Sequence, residues 1–371
     1  MPTIAAVGDI RIYRDKPETA LAHVRDVFKQ ADIAFCQSES SYSDKGSKGS
    51  SGPRGASPVD LRGYPTFASI GFDVVSMASN HTMDWGQDAL LDCIDRLRRD
   101  GIKVIGAGKN IAEARQPVIV DCQGTRIAFL GYCSVAPKGY YAAHARAGVA
   151  PMRAIAHFEP LEEDQPGTPA KSMTWPLQRD LDALVQDIKR VRSEVDIVAV
   201  SLHWGVHQIR GLIADYQPVV AHAAIDAGAD IIIGHHPHIL KGIEVYRGKV
   251  ILYSIGDFSR DFNMDRASDL EWTHECEEVY KIYGTAFAGG HGAISNRFSM
   301  VADIQFAAGK IERVSYRPVM IEVEGGQRQP TLVPVASPRG EEIVQYVKDI
   351  CGEAGLDTKF RVEGDSVVID T

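Results

Sequence analysis

The chain has 371 residues, 44% of them hydrophobic, enough to bury one large core or two ordinary ones. Its formal net charge of -9 comes with no Lys/Arg cluster, which excludes nucleic acid as a main partner. No stretch reaches membrane-spanning length, and the six cysteines are scattered without a CxxC, which excludes a disulfide framework and a zinc knot.

Residues 1–9 run straight into a strand, with no basic segment, long apolar segment or cleavage site of a secretory signal, so a cytoplasmic protein with buried reduced thiols and no membrane partner is expected. Residues 3–7 predict an apolar strand ending in Gly8-Asp9, an acid at a strand's carboxyl edge; alone, Asp9 would equally suit a turn or cap. Residues 19–29 carry Leu21, Val24, Val27 and Phe28 at helical spacing. Residues 33–36 predict a second strand, which Glu39 follows as Asp9 follows the first. Residues 40–58, rich in Ser, Gly, Lys and Pro, predict a loop, either a lid beside Glu39 or a surface insertion. A third strand over 71–77 leads to Asn80-His81, and Asp84-Trp85-Gly86 opens a helix over 87–100 with Leu90, Leu91, Ile94 and Leu97 on one face.

Residues 103–105 predict a short strand, and 118–121 with 126–132 a hairpin around Gln123-Gly124-Thr125. Residues 134–176 hold Tyr140, Tyr141, His144, His157 and several prolines; the stretch is too long for an ordinary connection and predicts an irregular, substrate-facing insertion. His144 and His157 are read as substrate contacts or plain surface, not as metal ligands. Residues 177–192 are helical, 195–202 form an apolar strand ending in His203-Trp204-Gly205-Val206-His207, and the helix over 218–227 takes Gly228 as its cap. In Ile231-Ile232-Ile233-Gly234-His235-His236-Pro237-His238, β-branched residues predict a buried strand that the glycine ends. The imidazoles that follow suit a metal, with Pro237 fixing the backbone between two of them; a solvated His-rich turn is the alternative. A hairpin over 242–246 and 250–254 leads into Ile255-Gly256-Asp257-Phe258. Residues 259–297 predict a second irregular region, with Trp272, His274, Tyr280, Tyr283 and His291. A hairpin over 300–306 and 311–317, a helix over 337–351 and a strand over 366–369 complete the pattern. No repeat or clean linker divides the chain. One domain over 1–371 is expected, with core 3–133, 177–258 and 298–324, insertions 40–58, 134–176 and 259–297, and a C-terminal helix and tail 337–371.

Asp9, Glu39, Asn80, His81, His203, His236 and His238 all fall at or just past predicted strand ends, which a layered α/β fold gathers on one edge. Two carboxylates, one amide and several imidazoles exceed what one ion needs. They suit two divalent ions, Mn, Zn or Fe, that share a carboxylate about 3.5–4 Å apart and turn the water between them into a hydroxide nucleophile.

The segments Gly8-Asp9, Ser79-Asn80-His81-Thr82-Met83-Asp84-Trp85-Gly86, His203-Trp204-Gly205, Gly234-His235-His236-Pro237-His238 and Tyr253-Ser254-Ile255-Gly256-Asp257-Phe258 resemble, in order and spacing over residues 3–260, the CapA family. These are poly-γ-glutamate capsule-biosynthesis-type proteins of the calcineurin-like metallophosphoesterase superfamily. The resemblance implies a four-layer αββα sandwich. It implies Asp9 as a ligand of the first metal, Glu39 as the bridging carboxylate, Asn80 and His203 as ligands of the second, and His236 and His238 as a pair shared between them. It gives His81 a role on the leaving group or in orienting the transition state, and Asp84 the role of holding its tautomer.

Three departures stand out. Arg11 occupies the position where phosphoesterases of the superfamily usually carry a histidine, which leaves the first metal under-ligated; His235 or His207 are the candidates to compensate. His207 stands where CapA-type proteins commonly carry an acid. Many relatives are membrane-anchored and no anchor is expected here, so a role in capsule assembly at the membrane is not expected either. The expected function is a hydrolase using a metal-bound hydroxide on an amide, γ-glutamyl or peptide-type bond of an anionic or peptide-like substrate, with a phosphoester open. Alternatives are a peptide epimerase working by proton transfer at Cα, which the resemblance permits, and a non-catalytic capsule or polymer assembly protein.

Overall fold

Runs of β-branched and apolar residues fold into two facing sheets. The computed structural model describes residues 1–47, 61–165, 167–261, 279, 282, 294–324 and 327–371. The larger sheet runs in the order Phe360–Glu363, Ser366–Ile369, Lys310–Glu324, Phe298–Ala307, Thr3–Arg11, Ile33–Ser38, Val74–Ser76, Lys103–Ile105. Asp257–Arg260 pairs additionally with Thr3–Arg11, and Gln327–Leu332 with Lys310–Glu324. The smaller sheet runs Ile243–Tyr246, Lys249–Leu252, Ile231–His235, Ile197–His203, Thr125–Cys133, Val118–Cys122.

Alternation along each strand feeds two cores at once. Ile231 and Ile233 point inward, where Phe129, Ile197 and Leu252 of their own sheet meet Ile4, Phe35 and Val74 of the other. The Phe35 and Phe129 rings stack across that layer, 5.9 Å apart. Ile232 points outward with Leu130 and Val200, against Leu184, Ile188 and Val220 of the helices Gln178–Arg192 and Tyr216–Asp226. On the far side, Val7, Cys36 and Val75 meet Phe28, Phe67, Leu90 and Ile94 of the helices Arg25–Gln30, Tyr64–Ile70 and Gly86–Arg99. The result is a four-layer αββα sandwich. Each fully buried isoleucine contributes about 1.5–3 kcal/mol. The central strands are parallel, with Ile33–Ser38 beside Thr3–Arg11 and Ile231–His235 beside Ile197–His203, so their carboxyl ends collect on one edge.

Several elements differ from the sequence expectation. The strand Thr3–Arg11 continues through Gly8-Asp9, with a register shift between Val7 and Asp9. The strand Ile231–His235 likewise runs through Gly234, because its partner Ile197–His203 extends the ladder to His203. The helical pattern over 19–29 begins as a 3-10 turn, Ala22–Val24, before Arg25–Gln30. The helix Tyr64–Ile70 was not expected; Pro65 suits its first turn, but the Gly/Pro-rich run before it reads as loop. Residues 134–176 are not irregular throughout: Ala154–Pro160 pairs with Ala170–Pro176, with Ile155 opposite Trp175. Phe360–Glu363 forms a hairpin with Ser366–Ile369. The last helix, Pro338–Glu353, starts as its sequence suggests, with the Ser337 side chain accepting from Gly340 N. Ser259 and Arg260 belong to the strand Asp257–Arg260. The expected second insertion also holds the 3-10 turn Ile294–Arg297; its Trp272, His274, Cys276, Tyr280, Tyr283 and His291, and residues 48–58 of the first loop, lie outside the described residues. The five described cysteines are buried and free. Among the described residues no helix is long and apolar enough to cross a membrane.

Two glycines let the backbones close on each other at the working edge. A Cβ on Gly8 would lie 1.8 Å from Gly256 O, and one on Gly234 would lie 2.1 Å from Tyr253 O. Gly234→Ala is therefore expected to destabilise the fold by about 1–3 kcal/mol through overpacking, seen as a lower urea unfolding midpoint; an unchanged midpoint would show that the neighbouring strand yields freely.

Candidate metal centre

Asp9 enters from Thr3–Arg11, Glu39 lies one residue past Ile33–Ser38, and Asn80 and His81 follow Val74–Ser76. His203 ends its strand, and His236 and His238 follow Ile231–His235. All seven side chains are buried and meet across the two sheets. The His236 backbone N–H donates to Asp9 Oδ2 at 3.1 Å. His203 Nε2 lies 2.8 Å from Asn80 Oδ1 and 3.5 Å from Glu39 Oε1. His238 Nε2 lies 3.7 Å from Glu39 Oε1, while its Nδ1 lies 3.4 Å from Asp9 Oδ2 and 2.7 Å from Asp257 Oδ1. His236 and His238 both take left-handed backbone conformations, φ 96° and 59°, on either side of Pro237. Such conformations are costly for residues with a Cβ and persist where surrounding structure imposes them.

Two sets of close ligand atoms share Glu39: one with His203 and His236, the other with Asp9 and His238. A third set joins His207 to His236 and His238. The His207 ring lies 4.0 Å from that of His236. Burial pushes the Asp9 carboxyl well above its ordinary range, and the charges of Glu39 and Asp257 add to the effect. Burial also raises Glu39 and Asp257, with Arg260 opposing it in both. His203, His236 and His238 are pushed well down by burial, and neighbouring charges add to this. Burial takes His207 and His235 to about 3. Among the described residues, Asp9 Oδ1, both Glu39 oxygens, His203 Nδ1 and His236 Nδ1 have no hydrogen-bond partner. A buried polar atom left in this way costs about 1–3 kcal/mol. Divalent cations would satisfy several of them together, and mixed nitrogen and oxygen donors suit Mn, Zn or Fe. The described residues could hold a divalent metal ion.

Beside these groups, His81 Nδ1 lies 2.9 Å from Asp84 Oδ2, and the Tyr140 hydroxyl donates to Asp84 Oδ1 at 3.1 Å. Tyr140 therefore sits in the site, whereas Tyr141 is buried, His144 is exposed and His157 is exposed beside Glu159. His235 packs in the layer between the sheets, its ring 6.0 Å from Phe35 and its Nδ1 3.8 Å from Asp9 Oδ1; it is in none of the three ligand sets. Arg11 is buried opposite Arg260 on the neighbouring strand. Sequence reasoning gave no role to Asp257, Arg260 or Lys241, and placed Tyr140 in a substrate-facing insertion rather than against Asp84. A signal existed for Asp257, since Gly256-Asp257 repeats Gly8-Asp9 and the two acids are paired in register.

The strand ends of the four-layer sandwich present Asp9, Glu39, Asn80-His81, His203 and His236-Pro237-His238, in that order. The chain belongs to the bacterial capsule synthesis protein family PGA_cap, whose model matches residues 3–261. It is 32% identical over 201 residues to the PGA biosynthesis protein CapA of Bacillus subtilis (strain 168), covering 54% of this chain and 46% of that one. It is 30% identical over 203 residues to the capsule biosynthesis protein CapA of Bacillus anthracis, covering 54% and 43%. The chain thus spans about half the length of these curated relatives. Among solved structures it is similar to the calcineurin-like phosphoesterase YfkN from Bacillus subtilis, with 12% identity and a TM-score of 0.40 over 95% of this chain and 97% of that one.

Lys241 fixes the wall of the site. Its ammonium is buried and donates to the backbone oxygens of Leu212, at 2.9 Å, and Ile209, tying down the loop that carries His207. Burial lowers its pKa from 10.5 to about 7. Between those values the unfolded chain keeps a proton that the folded chain has released, so this group makes stability rise with pH across that window, and its burial costs most below about 7. Urea unfolding of wild type and Lys241→Met between about pH 6.5 and about pH 9.5 tests this through linkage. The wild type should gain stability relative to the variant as pH rises; parallel curves would show that Lys241 titrates as it does in water.

Proposed function

We propose that the chain is a cation-dependent hydrolase acting on an amide, γ-glutamyl or peptide-type bond of an anionic or peptide-like substrate. The observation that carries this reading is the pair of buried ligand sets sharing Glu39 beside the His81–Asp84–Tyr140 chain. Glu39, Asn80, His203 and His236 form one group toward a cation, and Asp9, Glu39 and His238 the other. When bound, divalent cations supply Lewis-acid polarisation and lower the pKa of water toward neutrality.

The chain's own residues do the rest. Asp84 accepts the hydrogen bond of His81 Nδ1–H, so that Nε2 can take a proton from the attacking water and pass it to the leaving nitrogen as the C–N bond breaks. The Tyr140 hydroxyl holds the other Asp84 oxygen and so fixes the plane of the carboxylate that orients His81. Burial of the whole cluster keeps bulk water from competing for these hydrogen bonds. The names of the Bacillus relatives, which concern PGA and capsule biosynthesis, favour an amide bond over a phosphoester.

His236→Ala should lose bound cation and activity while keeping the fold, as read by elemental analysis, rate and circular dichroism. His81→Ala should keep the cation and lose turnover by roughly 10²–10⁴-fold, the usual worth of a general acid. Full cation content in the first variant, or normal rates in the second, would contradict these roles. With a peptide substrate in isotopically labelled water, cleavage places solvent oxygen in the product acid; solvent deuterium at Cα without cleavage would assign epimerisation instead.

A further inference from the structure

The two ligand groups differ in what stands behind them. Thr3–Arg11 and Asp257–Arg260 run parallel, and their register sets Asp9 opposite Asp257 and Arg11 opposite Arg260. A pair of acids is thus followed by a pair of guanidiniums, and all four residues are buried. Arg260 reaches back into the site. Its Nε lies 3.7 Å from Glu39 Oε2 and its Nη1 lies 3.6 Å from Asp257 Oδ2. Arg328 places Nη1 4.0 Å from the same Asp257 oxygen. The Arg11 charge acts on Glu39, Asp257 and His238.

Charge separates the groups. When ionised, Asp9, Glu39 and Asp257 offer three negative charges, and the guanidiniums of Arg11, Arg260 and Arg328 face the same cluster. Neutral imidazoles add none. Little net negative charge remains there to offset divalent cations. A second cation at the usual spacing of about 3.5–4 Å would enter a field that is already positive. Glu39 is shared between both ligand groups on one oxygen and the arginine on the other. Its Oε1 faces His203 and His238, while its Oε2 faces Arg260. The group with Glu39 Oε1, His203 and Asn80 has short internal distances, with Asn80 Oδ1 only 2.8 Å from His203 Nε2, as two ligands converging on one ion require.

We infer that the chain holds one divalent cation tightly, at Glu39, Asn80, His203 and His236, and that Arg260 and Arg11 supply the positive charge that a second cation would bring to the Asp9–Glu39–His238 group. The inference rests on the metal reading above and narrows it to a mononuclear centre.

Manganese titration of the full chain, by calorimetry and elemental analysis, with electron paramagnetic resonance of the loaded protein, tests it. One tight equivalent and the hyperfine-split spectrum of an isolated Mn²⁺ are expected. Asp9→Asn should keep that equivalent and His203→Ala should lose it. Arg260→Gln combined with Arg11→His should bind a second ion, and the spectrum should broaden by exchange coupling. Two tight equivalents with a coupled spectrum in the wild type would overturn the mononuclear centre while leaving the hydrolase reading in place. No bound manganese would overturn both. A count that stays at one in the double variant would remove the role given to the arginines. The wild-type spectrum decides the number of ions even where a variant does not fold.

Discussion

The hydrogen bond from the His236 backbone to the Asp9 carboxylate joins the two sheets at their shared edge. It is buried and charge-assisted whenever Asp9 is ionised, which makes it among the stronger contacts a fold can place there. Beside it, Gly8 and Gly234 let neighbouring backbones within each sheet approach to distances that any side chain would prevent. With Asp9 held this way, His238 comes within reach of the same carboxylate, and Glu39 and His203 close the opposite side. The geometry of the site follows from this contact between the sheets.

That approach has an electrostatic cost. Three carboxylates and four imidazoles crowd together at the sheet edge, and burial drives the acids up and the imidazoles down, so both tend toward neutrality. Two residues with a Cβ also hold left-handed conformations in the same loop. A fold keeps such features where the surrounding structure over-determines them. Here the apolar layer between the sheets, continuous from Ile4 through Phe35 to Phe129 and Ile231, supplies that rigidity. The arginines lining the Asp257 side reduce the same cost from outside.

Much of this was readable from the sequence, because polar residues placed directly after apolar runs mark strand ends, and parallel strands bring those ends together. Asp9, Glu39, Asn80, His81, His203, His236 and His238 all follow that rule, and the structure brings them together. The family was readable too, from the order of the same segments, and the family match over residues 3–261 bears it out. What lay beyond reach depends on pairing between distant segments. Arg260 matters because a parallel ladder sets it beside Arg11, from which it is separated by most of the chain. Tyr140 belongs to a stretch that reads as an insertion, and only its folding back onto Asp84 gives it a place in the site. Lys241 is a single charge in an apolar run, and nothing local says which carbonyl oxygens will receive it. The helix Tyr64–Ile70 and the hairpin of Ala154–Pro160 with Ala170–Pro176 were obscured by the glycines and prolines around them.

Anomalous diffraction from crystals grown with manganese tests the central claim most directly, because it locates the ion without reference to activity. The account expects a peak enclosed by Glu39, Asn80, His203 and His236. Manganese bound elsewhere, or Asn80 and His203 turned away from Glu39, would contradict it.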